Sequence, residues 1–272
     1  MGADKTGKLA ATIGAIEEKW GRRTIFRLGE RLRELATTGA IASGFPALDA
    51  ALPGGGLPRG RIVELAGAPT AGAVTLALRL VAAVQALGEQ AAYLDLAQAF
   101  DPVYAAQCAV SLEQLLLIYP PDAAQALALA QELVVAGAGA IVLDLAAWPP
   151  AAAPPAPGPP APERPHLAGP AGLLSLPWDR LLAPLARAGT LFLVLCTPAG
   201  GQAIPHATLR LHLQREGWLY YHHDVVGYRT RITIVKNRLG GAGQSVAAEI
   251  GCHQTSDFFE RQPKSDVFPV EP

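Results

Sequence analysis

The sequence predicts an α/β fold: a mostly parallel central sheet, antiparallel edge strands and a small N-terminal helix-strand arm. Three observations predict it. Between residues 62 and 144, short apolar runs alternate with helical stretches, a rhythm that suits parallel strands joined by crossover helices. A glycine-framed turn, Gly67-Ala-Pro-Thr-Ala-Gly72, joins the first run to the first helix. Beyond residue 207 the pattern changes to alternation, which suits antiparallel strands. At 272 residues, half of them hydrophobic, the chain is long enough for one sizeable core and a small appendage.

The elements follow in order. Residues 8–19 suit an amphipathic helix with Leu9, Ile13 and Ile16 on one side. Thr24–Leu28 reads as a short strand and residues 29–38 as a charged hinge. Pro53–Pro58, rich in glycine, reads as a loop. Ile62–Ala66 is a buried strand that feeds the glycine turn and a helix over 73–87. Ala91–Asp95 is the next strand. A short helix over 101–108 opens with Asp101-Pro102, residues suited to a helix N-terminus. Leu115–Tyr119, a helix over Asp122–Ala136 and the strand Ala140–Asp144 complete the series. Ten of the 24 prolines then fall between Pro149 and Pro170. This Pro/Ala-rich insertion, 149–170, is expected to be an extended loop. A helix near 178–187 and the strand Leu191–Cys196 follow. Thr208–Leu213, Tyr228–Lys236 and Ser245–Ile250 read as strands, with a turn at Gly240–Gly243 and a tail over 252–272.

The formal net charge of −1 gives no global reason to expect a nucleic-acid or membrane partner. The charge is uneven, however. Residues 1–33 carry eight Lys/Arg against four acids, while residues 34–150 carry three against ten. The N-terminus is therefore either a contact arm or a solvated helix face. Three widely spaced cysteines, Cys108, Cys196 and Cys252, fit neither a disulfide framework nor a zinc site. No long apolar run follows Lys5 and Lys8, so a cytoplasmic protein with reduced thiols is expected.

The turn at 67–72 has the frame of a phosphate-binding loop. In a working loop, backbone N–H groups cradle phosphates, a Lys neutralises charge and a Ser/Thr hydroxyl holds Mg²⁺. Here the last two positions are Ala73 and Val74. Either the glycines persist because a tight strand-to-helix turn needs them, or the loop keeps residual nucleotide binding. Losing a charge-assisted contact costs about 1.5–3 kcal/mol, and the metal contact is lost as well.

The order of motifs resembles the RecA recombinase family. The likeness rests on Ile16–Gly21, Thr24–Glu30, Ser43–Asp49, Gly55–Glu64, Leu94-Asp95, Asp101–Tyr104 and Val225–Arg238. The chain reads as a degenerate RecA-like paralogue, similar also to the ImuA group of damage-induced mutagenesis. The resemblance implies a RecA-like core over 39–251 and a packing arm over 1–38, with Ile13, Ile16, Ile25, Phe26 and Leu28 at a subunit interface. The family's nucleotide site falls on Gly67, Gly72, Thr75, Asp101, Tyr104 and Asp144. Its Lys and Thr fall on Ala73 and Val74, and its water-activating Glu on Ala97, so no catalytic residue remains. Lys236 and Arg238 match the pair that reaches ATP on the next subunit. The family's DNA loops fall on the Pro/Ala insertion, with Arg164 alone, and on Pro198–Ala207, which holds no Lys or Arg. Arg210, Arg215, Arg229 and Arg231 offer a substitute DNA patch, with Trp218, Tyr220 and Tyr221 beside them.

The expectation is a non-catalytic accessory protein in DNA repair, recombination or damage-induced mutagenesis. It would dock on a RecA-type recombinase or a translesion polymerase assembly, touching DNA directly or through that partner. No cofactor, metal or membrane is expected. The alternative is a divergent DNA-dependent ATPase that keeps ATP and Mg²⁺ through an atypical loop.

Overall fold

The computed structural model describes residues 2–20, 39–145, 176–197, 203–221, 224–251 and 268–269. Two compact units divide the chain, Met1–Thr37 and Thr38–Pro272. The first contains one described helix, α1 (Gly2–Trp20), longer than the periodicity at 8–19 suggested. Leu9 on it is exposed, while Ile13 and Ile16 are half-buried. The strand expected at Thr24–Leu28 and the hinge lie outside the described residues, as does the Pro/Ala insertion.

The second unit is built on a nine-stranded sheet. It opens with β1 (Ala40–Ile41) and α2 (Pro46–Ala51). Next, β2 (Leu57–Pro58) pairs antiparallel with β1, away from the main sheet. The loop expected at Pro53–Pro58 is turn and bend as far as Gly56, and its last two residues form this small ribbon with β1. The ribbon forms because Gly56 brings the chain against Ile41, where an added Cβ would lie 2.3 Å from the Ile41 carbonyl oxygen.

The main sheet uses β3 (Arg61–Gly67), β4 (Ala91–Asp95), β5 (Leu115–Ile118), β6 (Ala140–Asp144) and β7 (Leu191–Cys196). It continues with β8 (Leu209–Tyr221), β9 (Asp224–Asn237), β10 (Ser245–Gly251) and β11 (Phe268–Pro269). The spatial order is β10-β9-β8-β3-β7-β6-β4-β5, with β11 paired to β8. The six strands from β8 to β5 run parallel. The β8–β9, β9–β10 and β11–β8 pairs are antiparallel. The tail thus returns a short strand to Leu219 and Tyr220, which its composition did not signal.

Helices cover both faces of the parallel region, as the strand–helix rhythm predicts. α3 (Ala73–Gln85) and α4 (Pro102–Gln107) lie on one face. α5 (Ala123–Val135) and α6 (Asp179–Ala188) lie on the other. Strand residues alternate between the two cores: Val63 and Leu65 face α3, while Ile62 faces the α5–α6 side. Local signals set the helix starts. The Asp122 carboxylate accepts from the Gln125 N–H at 2.8 Å. The Asp101 carboxylate accepts from Val103 and Tyr104, ahead of a Pro at the first helical position.

The strands β8 and β9 run well past the expected Thr208–Leu213 and Tyr228–Lys236. Register shifts at Arg210/Leu211, Arg215/Gly217 and Leu219/Tyr220 interrupt their pairing. Such bulges increase local twist and re-aim side chains, and they obscure a simple two-residue alternation. The proximal half of β8 pairs with β3 through Leu213, while its distal half extends beyond the end of β3.

Candidate functional site

The site begins where β3 ends. Gly67 is buried, and a Cβ there would lie 3.0 Å from the Leu213 carbonyl oxygen. Gly72 caps α3 in the left-handed region, with φ of 97°. A Cβ at Gly72 would also meet the Ile250 side chain at 2.5 Å, with the Tyr228 hydroxyl 3.5 Å away. Both glycines are therefore required by close approach as well as by the turn. Between them, Thr70 holds φ at 65°, a conformation disfavoured for a β-branched residue.

The β8–β9 hairpin holds this turn from outside. The Thr230 hydroxyl is fully buried and donates to the Ala71 carbonyl at 2.8 Å. The Arg215 guanidinium donates to the Thr70 hydroxyl at 2.9 Å and stacks over Trp218 at 4.4 Å. Trp218 meets Tyr228 edge-on, with ring centroids 6.1 Å apart.

Inside the turn, Ala73 is half-buried and Val74 is exposed. Neither side chain carries a charge or an oxygen. Thr75 is buried, and its hydroxyl shares a hydrogen bond with the Tyr104 hydroxyl at 2.5 Å. Burial pushes the Tyr104 phenol up to about 12, against the lowering pull of Thr75. Asp101 lies at the start of the same helix, with its exposed carboxylate engaged as the cap.

Asp95 and Asp144 are register partners at the ends of β4 and β6. Asp144 accepts from the Tyr93 hydroxyl at 2.5 Å. Burial first, and then the neighbouring Asp144 charge, raises the Tyr93 phenol far above its ordinary value. Asp95 is buried and accepts from the Ala97 and Phe100 backbone N–H groups at 3.1 and 2.8 Å. Ala97 thus contributes a backbone donor to the loop. Its methyl side chain offers no proton acceptor.

A second cluster lies on the opposite face of β3. Glu64 is buried there and accepts from Arg210 at 2.8 Å and the Ile204 N–H at 3.0 Å. The Cys196 thiol points at the same carboxylate, 3.6 Å away. Burial pushes that thiol up to about 12, with the Glu64 charge adding to the effect. Across the strand pair, Arg210 faces Lys236. Partial burial, then Arg238 and Arg210, hold the Lys236 amine below its ordinary value. Arg238 is exposed, and its backbone N–H donates to Thr208.

The structure therefore places Gly67, Gly72, Thr75 and Tyr104 together around one turn. Asp144 sits at the end of β6. Lys236 and Arg238 lie beside Arg210 at the far end of the hairpin. The four hairpin arginines are dispersed by their partners: Arg210 to Glu64, Arg215 to Thr70, Arg229 to Glu249 and Arg231 to Glu216. Of the interface candidates, Ile13 and Ile16 lie on α1, while Ile25, Phe26 and Leu28 fall outside the described residues. Sequence reasoning passed over Glu64, Tyr93 and Thr230. Glu64 and Tyr93 are polar residues among mostly apolar strand neighbours, and that was the available signal, whereas Thr230, between Arg229 and Arg231, carries none.

Comparisons with known proteins agree with one another. A family profile described as the RecA N-terminal domain matches residues 7–153. Protein RecA of Rhodospirillum rubrum is 36% identical over 253 residues, covering 87% of this chain and 68% of that protein. Protein RecA of Rubrobacter xylanophilus is 35% identical over 267 residues, covering 92% and 76%. Protein RecA of Enterococcus faecium is 32% identical over 288 residues, covering 98% and 81%.

Proposed function

The chain belongs to the RecA family, and from that premise we propose that it is a non-catalytic accessory protein in recombination or DNA repair. It docks on RecA-type subunits or on a repair polymerase and turns over no nucleotide. One observation carries this reading. The phosphate-loop frame is kept at Gly67 and Gly72, while Ala73, Val74 and Ala97 stand where charge, metal ligand and base would be needed.

The site residues do not fit a MgATP ligand. Ala73 supplies no cation and Val74 no hydroxyl, and the Asp144 carboxylate already takes a hydrogen bond from Tyr93. By contrast, Lys236 and Arg238 remain available for phosphates held elsewhere. A subunit of this kind contacts a neighbour's ATP but offers none of its own, so it sits at a filament end as a cap. Direct binding to single-stranded DNA is weak in this reading, because the hairpin arginines already hold partners and phosphate neutralisation needs free cations.

Two measurements test it. A steady-state ATPase assay, with and without single-stranded DNA, should show no turnover above background. DNA-stimulated turnover abolished by Asp144→Asn would establish the alternative, a divergent DNA-dependent ATPase. Co-sedimentation with RecA filaments carrying a slowly hydrolysed ATP analogue tests the docking. Lys236→Glu with Arg238→Glu should weaken it, because two cations beside phosphates become two anions. Equal sedimentation of wild type and double variant, with and without the analogue, rules out the cap.

A further inference from the structure

We infer that the phosphate loop is liganded permanently by the chain's own hairpin, so that its conformation is set without nucleotide. Three consecutive loop residues each meet a different hairpin or β10 contact. The Thr70 hydroxyl accepts from Arg215, and the Ala71 carbonyl accepts from Thr230. Gly72 lies under Ile250 and Tyr228, with space for no atom beyond its hydrogens.

The weight of these contacts is unequal. The Arg215 bond is exposed and contributes little. The Thr230 bond is buried, and the same hydroxyl also reaches the Gln214 carbonyl at 3.1 Å. Replacing that hydroxyl by a methyl leaves a buried carbonyl unsatisfied, the costlier kind of loss. Ile250 is 1% exposed and closes the loop from the β10 side. The inward groups are satisfied in the same manner, Thr75 by Tyr104 and Asp144 by Tyr93. The Ala71 carbonyl and the side chains of Thr70, Thr75 and Asp144 are therefore engaged internally. β9 carries Thr230 at the loop and Lys236 six residues further along. Fixing the loop to β9 thus fixes the strand that presents Lys236 and Arg238. This inference rests on the accessory reading above and adds that docking needs no nucleotide bound in this chain's own loop.

Hydrogen exchange by mass spectrometry on the full chain tests it, following peptides across residues 66–76. MgATP at millimolar concentration should change exchange there by less than about threefold. Thr230→Val with Arg215→Ala should accelerate it by about tenfold or more, with β4 and β6 still protected. Ile250→Ala, a variant that leaves the hydrogen bonds intact, should act in the same direction. Slowing by about threefold or more on adding MgATP overturns the inference, as does a loop indifferent to both variants. Co-sedimentation separates the two readings. Loss of RecA association with unchanged loop protection removes the accessory function and leaves the self-liganded loop.

Discussion

At the scale of single residues, burial decides which polar groups carry energy. Glu64 is 2% exposed, and its carboxylate accepts from Arg210 at 2.8 Å. Removing one partner of a buried pair leaves an uncompensated charge, so Arg210→Met should destabilise the fold. The expected cost lies toward the low end of about 3–5 kcal/mol, because Arg210 keeps some solvent contact. Urea unfolding followed by tryptophan fluorescence measures it, and a loss below about 1 kcal/mol would show the pair to be weakly coupled. Tyr93→Phe removes one hydrogen bond to the Asp144 carboxylate and should cost about 1.5–3 kcal/mol in the same assay. Glu64 and Tyr93 stand out in the sequence as polar interruptions of apolar strands. Their partners are illegible there, because Arg210 lies 146 residues from Glu64 and Asp144 lies 51 from Tyr93.

Among the elements, legibility follows period and length. The strands β3, β4, β6 and β7 and the helices α3 and α5 were readable because each is a sustained apolar pattern bounded by turn residues. The two-residue strands β1, β2 and β11 have no period to read. The distal hairpin was cut short because its bulges and exposed polar stretch, Gln214–Glu216, mask the alternation. The candidate site was legible as a frame, Gly67 to Gly72, but the side chains that close it come from β8, β9 and β10. Two predictions belong at this scale. Asp101→Ala should cost about 0.5–2 kcal/mol by uncapping α4. An unchanged unfolding midpoint would mean that Pro102 alone suffices. The edge strand β5 leaves Leu116 and Leu117 substantially exposed, with Tyr119 half-exposed just beyond it. An apolar edge invites pairing with another chain. Leu116→Lys should therefore lower concentration-dependent association in light scattering while leaving the thermal midpoint within about 2 °C.

For the whole molecule, the buried acids that resist ionisation set an alkaline limit. Tyr93, Tyr104 and Cys196 all have raised values in the fold, so their neutral forms are favoured there. The unfolded chain releases these protons first, from about pH 9 for the thiol and about pH 10 for the phenols. Stability is thus full below pH 9 and should fall as pH rises through 12. Lys236 acts oppositely but is largely solvated, so its effect is small. Denaturant unfolding across pH 8–11.5 checks the sign, and Tyr104→Phe should flatten the upper limb. The position of β3 bears on how the protein is made. Both of its neighbours, β7 and β8, come more than 120 residues later in the chain. On the ribosome, the strand that becomes the middle of the sheet therefore waits with both edges open. At about 5–20 residues per second, the residues separating Glu64 from Arg210 take roughly 7–30 s to emerge. The nascent chain is exposed to aggregation throughout that interval, and shielding by a chaperone would matter most before Leu213 emerges.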